Sequence, residues 1–234
     1  MKFNLKVPAT LREIKLSQWQ KYAKILDKNK DVKDNTFINL KTLEIFCEMS
    51  LQDVNTVPLS TFDGILEHLN YIFSAKTPRV NTFYLRGTDG VEVKFGMIPN
   101  LDKMTYGEYK DLEEYIFDED NLHRAMAVLY RPISIEKNGR YLIHPYKGTD
   151  DMAEVMKDTP LDVVFGARVF FYRLAKKLGV YTMDYTLQQL MKQEEKHLDN
   201  PSEKNGEHTK QFILSHRAML EDLMKLQDFH SINV

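Results

Sequence analysis

Thr159-Pro160-Leu161-Asp162-Val163-Val164-Phe165-Gly166-Ala167-Arg168-Val169-Phe170-Phe171 decides how the rest of this chain is read. Thr159 is a good N-cap, Pro160 suits a first helical position, and Asp162 stands three residues past the cap, as a capping box requires. Further on, Lys176-Lys177-Leu178 precede Gly179, and cations followed by glycine suit a helix C-terminus. Between these marks Val163, Val164, Ala167, Phe170, Phe171, Leu174 and Leu178 leave few polar sides. A helix apolar on most sides has to be buried, so the spacing predicts a helical core around the helix at about 160–178.

Upstream the hydrophobic period twice drops from the helical value to two. Ile133-Ser134-Ile135 and Tyr141-Leu142-Ile143 flank Lys137-Asn138-Gly139-Arg140, and Asn-Gly between alternating apolar residues signals a hairpin. Phe83 and Leu85 face Val91, Val93 and Phe95 across Gly87-Thr88-Asp89-Gly90 in the same manner. Gly87 and Gly90 do not make a phosphate loop, because the lysine and serine of that motif are missing and no helix follows directly.

The remaining punctuation is helical. Ser17 and Gln20 form an expected capping box before Trp19, Tyr22, Ala23 and Leu26, and a second helix spans about 36–50 with Phe37, Leu40, Leu43 and Cys47 on one stripe. Ser60 with Asp63 opens a third, carrying Phe62, Ile65, Leu66, Leu69, Ile72 and Phe73. Thr105 with Glu108 opens a fourth that runs to about Phe117, and Asp118-Glu119-Asp120-Asn121 leads into a fifth, 122–130, which Pro132 closes. Residues 184–198 and 207–229 read as two amphipathic helices joined by a flexible 199–206. Residues 3–7 alternate as a short strand ended by Pro8. The expected class is mainly α with two β-hairpins, that is α+β. Its organisation is an N-terminal strand and helical segment (1–80), a hairpin-helix-hairpin-helix body (81–179) and a C-terminal helical pair (180–234), or one compact domain overall.

Composition narrows the function. Thirty-two Lys and Arg against 34 Asp and Glu give a net charge of −2, which supplies no global attraction to nucleic acid or anionic lipid. A single cysteine, Cys47, excludes an intrachain disulfide and fits a reducing compartment, where it serves as a small buried hydrophobe. The start lacks a signal peptide's apolar run, and no segment approaches the roughly 20 apolar residues that span a bilayer. A cytoplasmic, non-membrane protein is expected.

Chemistry-bearing patterns are sparse. Glu194 and His197 form one Glu-x-x-His, whereas a di-metal bundle site needs two with further carboxylates. Glu108, Asp111, Glu113, Glu114, Asp118, Glu119 and Asp120 lack the spacing of a calcium loop and read as a solvated face or an electrostatic docking patch. No nucleophile elbow, Cys/His pair or dinucleotide fingerprint occurs. Arg168, Arg173, Lys176 and Lys177 form a basic edge that also suits a helix C-terminus. The chain therefore reads as a protein without cofactor or metal that works by contact rather than as an enzyme. Candidate contact residues are Glu108, Asp111 and Glu114 on the acidic helix, with Phe212, Met219, Leu223 and Leu226 on the apolar stripe of the last helix.

Three stretches carry a family resemblance: Ile98-Pro99-Asn100-Leu101-Asp102-Lys103-Met104-Thr105-Tyr106-Gly107-Glu108-Tyr109-Lys110-Asp111-Leu112, His123-Arg124-Ala125-Met126-Ala127-Val128-Leu129-Tyr130-Arg131-Pro132-Ile133, and Pro160 to Phe171. Together they resemble an uncharacterised family encoded among the structural genes of tailed bacteriophages, including crAss-like phages of Bacteroidetes hosts. The opening, Val7-Pro8 and Leu16-Ser17-Gln18-Trp19-Gln20-Lys21-Tyr22, also looks like starts of proteins from that neighbourhood. The resemblance implies a role in particle morphogenesis, as a tail or head-tail assembly protein or chaperone, or as a minor virion component. Its implied partners are other phage structural proteins, with homo-oligomerisation as a further option, and its implied place is the host cytoplasm during assembly or the virion. The alternative is a phage regulatory or nucleic-acid-binding protein using the basic edge.

Overall fold

The computed structural model describes residues 5–32, 34–87 and 90–172. The expected helices at 184–198 and 207–229 lie outside these residues, as do Arg173, Lys176, Lys177, Glu194, His197, Phe212, Met219, Leu223 and Leu226. The chain divides near Arg168 into two units, and the N-terminal unit holds nearly all the described residues. Segments 1–80 and 81–168 share that one unit.

Its elements are α1 (Leu16–Lys28), α2 (Thr36–Phe46), α3 (Leu51–Val54), α4 (Leu59–Phe73), β1 (Thr82–Arg86), β2 (Glu92–Met97), α5 (Tyr106–Tyr115), α6 (Leu122–Leu129), β3 (Tyr130–Lys137), β4 (Arg140–Ile143) and α7 (Asp150–Met156). An eighth helix, α8, begins at 161 and is described to 172. The class is α+β, mainly helical with two hairpins, and the described part of the helix expected at about 160–178 enters the core: Leu161, Val163, Val164, Phe165 and Ala167 are buried.

The two hairpins form one antiparallel sheet of order β1-β2-β3-β4. β2 joins them, with Phe95 opposite Pro132, Gly96 opposite Arg131 and Met97 opposite Tyr130. Pro132 therefore does not close a helix. α6 ends at Leu129, the chain enters β3 at once, and the carbonyl of Pro132 accepts the His144 amide at 3.0 Å. The Asn-Gly turn is as expected: Asn138 at φ 52° and Gly139 at φ 72° are the left-handed pair that matches strand twist.

Two aromatic groups fill the core. Trp19 meets Phe165 edge-on at 5.0 Å and Phe73 at 5.7 Å, while Phe46 lies 5.1 Å from Tyr22 and 5.0 Å from Phe73. Under the sheet Phe83 stacks on Phe95 at 5.8 Å and meets Tyr130 at 5.1 Å, and the Tyr130 hydroxyl donates to the Val80 carbonyl at 2.6 Å. α6 is the most enclosed helix, with Leu122, Ala125, Met126, Val128 and Leu129 all fully buried.

Several local expectations shift. α1 starts two residues before the Ser17 box would place it: Lys15 stands at the cap and its amide donates to Gln18 Oε1 at 2.9 Å, which frees Gln20 to point inward. α4 starts at Leu59 with the Pro58 carbonyl taking the Thr61 and Phe62 amides, so Ser60 does not cap. α8 starts one residue late because the Pro160 carbonyl accepts Val163 and Val164, and because Thr159 and Pro160 lie against Lys15 and Leu16 of the N-terminal segment. Asp162 turns to Arg12 at 3.1 Å instead of back to Thr159. The expected second helix breaks after Phe46, and Ser50 caps the short α3 by accepting the Asp53 amide. Residues 5–8 form no strand; Pro8 offers no donor and its carbonyl bonds the His68 ring at 2.9 Å.

Candidate functional site

The acidic stretch from 105 to 120 divides into an inner side that builds the fold and an outer side that faces solvent. Thr105 and Glu108 cap α5 reciprocally: Thr105 Oγ1 accepts the Glu108 amide at 3.3 Å, and Glu108 Oε2 accepts the Thr105 amide at 2.6 Å. That geometry turns Glu108 inward, where its Oε1 meets Arg131 Nη2 at 2.6 Å with both side chains buried. Burial pushes the Glu108 carboxyl up, but the Thr105 amide and hydroxyl and the Arg131 guanidinium outweigh it and hold the group below the usual carboxylate range. The Arg131 guanidinium also lies over the Tyr146 ring, 5.6 Å from its centre, and the Tyr146 hydroxyl donates to Asp111. Burial first, and then that bond, push the Tyr146 hydroxyl up.

Further along, Asp118 accepts from Asn121 at 2.8 Å, Asp120 pairs with Lys24 at 3.1 Å, and Glu119 holds both Trp19 Nε1 at 2.9 Å and Arg168 at 2.5 Å. Gln20 completes this corner by donating to the carbonyls of Glu119 and Asp120 at 2.8 and 3.0 Å, beside Nδ1 of His123 at 3.1 Å. Two sequence candidates are thereby occupied internally: Glu108 by Arg131, and Asp111 by Tyr146. Glu114 stays exposed. Arg168, the described member of the basic edge, is neutralised by Glu119.

The outer side of α5 has a different chemistry. Tyr106, Tyr109 and Glu113 fall three and four residues apart, one above the other on a helix, and Phe117 continues the line just past the helix end. Tyr106 is 80%, Tyr109 50% and Phe117 56% exposed. Three aromatic rings thus stand in water beside the carboxylates of Glu113 and Glu114.

A second exposed surface lies on the β3–β4 hairpin, whose β4 is an edge strand. Ile133 pairs with Ile143, but Ile135 pairs with Leu142, so Ser134 is an inserted residue. Such a bulge moves the following residues to the opposite side of the sheet. Tyr141 and Glu136 thereby share the side of Gly96. The Tyr141 ring covers that glycine so closely that a Cβ there would come within 2.5 Å of it, and its hydroxyl donates to the Met97 carbonyl at 2.8 Å. Lys94 holds Glu136 there at 2.7 Å. Ile135 and Leu142 face the other way, each 60% exposed, with Lys137 and Arg140 next toward the tip. They line an open groove of about 570 Å³ together with Asn138 and Tyr141.

Among the described residues no group of three or more His, Cys, Asp and Glu is placed to hold a metal ion, and no helix is long and apolar enough to cross a membrane. The aromatic stripe is present in the sequence as Tyr106, Tyr109 and Phe117 at near-helical spacing, but the carboxylates around it make charge the dominant local pattern. The Ile135/Leu142 pair carried no signal, because unbroken alternation would place Ile133 and Ile135 on one side. Comparison with protein-family models, with curated proteins and with solved structures found no match.

Proposed function

We propose that this protein is a non-enzymatic morphogenesis protein of a tailed bacteriophage, acting by protein contact as a tail or head-tail assembly protein, a chaperone or a minor virion component. The observation that carries the reading is the exposed stripe of Tyr106, Tyr109 and Phe117 on α5. Aromatic residues concentrate in the buried cores of interfaces, and a contiguous line of three on one helix face marks a surface suited to a partner. Tyr106 and Tyr109 also lie within residues 98–112, one of the stretches that resembles the phage family. The buried Glu108 and Arg131 pair with each other, and so do the half-buried Asp111 and Tyr146, as groups that hold a fold together do.

Capture of the products of the neighbouring structural genes by the complete, immobilised chain tests the proposal. Retention of at least one of them is expected. A chain that retains none, and is missing from both purified particles and assembly intermediates by mass spectrometry, overturns it.

A further inference from the structure

Two of the exposed apolar surfaces among the described residues complement each other. The α5 surface offers three aromatic rings and the carboxylates of Glu113 and Glu114, with Lys110 as the one cation on that face of the helix. The hairpin surface offers two aliphatic side chains, Ile135 and Leu142, and two cations, Lys137 and Arg140; Glu136, the carboxylate in that hairpin, is on the opposite side and held by Lys94. Apolar area flanked by charge of opposite sign is how specific surfaces find one another. The two cannot meet within one molecule. α5 is fixed to β3 by its inner side, through Glu108 and Arg131, so its outer stripe points away from the strand that carries the hairpin.

We propose that the β3–β4 hairpin tip of one copy docks on the outer face of α5 of a second copy of this chain. Ile135 and Leu142 cover Tyr106, Tyr109 and Phe117, and Lys137 and Arg140 meet Glu113 and Glu114. Because the joined patches differ, two geometries fit: a two-fold pair in which each copy offers both patches to the other, or a head-to-tail contact that closes into a ring or runs on as a filament. The self-contact occupies the same α5 stripe on which the phage reading rests, so the two compete for that face, and the test of self-association needs nothing but the purified chain.

Sedimentation velocity and light scattering of the complete chain over a concentration series test it, with far-ultraviolet circular dichroism to check folding. The wild type is expected to self-associate, less so at high salt. Lys137→Glu/Arg140→Glu and Glu113→Lys/Glu114→Lys are each expected to weaken association by at least about tenfold. The quadruple exchange restores it, as does an equimolar mixture of the two reversed proteins, in which each cationic patch again finds an anionic one. A purely structural effect of the substitutions does not restore association in the mixture. A wild type that stays monomeric, a reversal without effect, or a mixture of folded variants that does not associate overturns the proposal. A monomer that still captures a structural gene product leaves the morphogenesis reading standing, and a self-associating chain that captures none and is missing from particles and assembly intermediates removes that reading alone.

Discussion

Replacing Arg131 with methionine removes the cation opposite Glu108 while keeping much of the side chain's length. The two groups are 2.6 Å apart and both buried, and removing one partner of such a pair costs about 3–5 kcal/mol because the other charge is left uncompensated. The low end applies here. Glu108 Oε2 keeps the Thr105 amide at 2.6 Å and the Thr105 hydroxyl at 2.8 Å, so only Oε1 loses its partner. A cost of about 3 kcal/mol lowers Tm by roughly 6–12 °C for a domain of this size. Thermal and urea melts of wild type, Arg131→Met, Glu108→Gln and the double variant supply the cycle. The double variant should lose at least about 1 kcal/mol less than the sum of the singles, because it leaves no lone buried charge. The pH dependence has a definite sign. The native Glu108 carboxyl titrates below its unfolded value, so its contribution is complete above about pH 4.3 and is lost as pH falls through the native value. Glu108→Gln removes that part of the acid limb. Destabilisation below about 1 kcal/mol in Arg131→Met, or strict additivity in the cycle, would refute the inward role of Glu108.

Gly166→Ala places a Cβ 2.3 Å from the Pro78 carbonyl oxygen, a backbone atom that cannot swing aside; destabilisation at or above the usual ~1–3 kcal/mol of overpacking is expected in urea melts. His123 is held below its ordinary value by burial and then by Lys157 and Arg124. Stability from its neutral form is therefore present above about pH 6.5 and declines as pH falls below it, so the wild-type urea midpoint should drop between about pH 7.5 and 5.5 more than that of His123→Asn. Burial pushes the Cys47 thiol up to about 11; a thiol reagent at neutral pH should modify it only at the rate of unfolding.

The class of the fold was legible because local signals agreed: Asn138-Gly139 set its hairpin, Thr105 with Glu108 set α5, and the apolar faces of α4 and α8 set the core. The failures share a cause, which is tertiary partners that outbid local caps. Ser17 and Gln20 looked like a box, yet Gln20 is drawn to the carbonyls of Glu119 and Asp120, about a hundred residues away. Asp162 looked like the partner of Thr159, yet Arg12 takes it. Pro132 looked like a helix stop because nothing local announces that β3 begins inside the same run and joins two hairpins into one sheet. α7 was missed because seven residues hold too little periodicity. On the surface, the acidic residues were visible but their direction was not: Glu108 faces Arg131, whereas the neighbouring tyrosines face out.

Capture of the structural gene products by wild type and by Tyr106→Ala/Tyr109→Ala/Phe117→Ala, compared side by side, tests the contact role most directly. Tyr106 is largely exposed and Tyr109 and Phe117 about half, so the variant should fold with a modestly lowered Tm, and it should bind at least about tenfold more weakly, since aromatic anchors dominate interface energy. Equal capture by the two proteins, or none by either, would contradict the account.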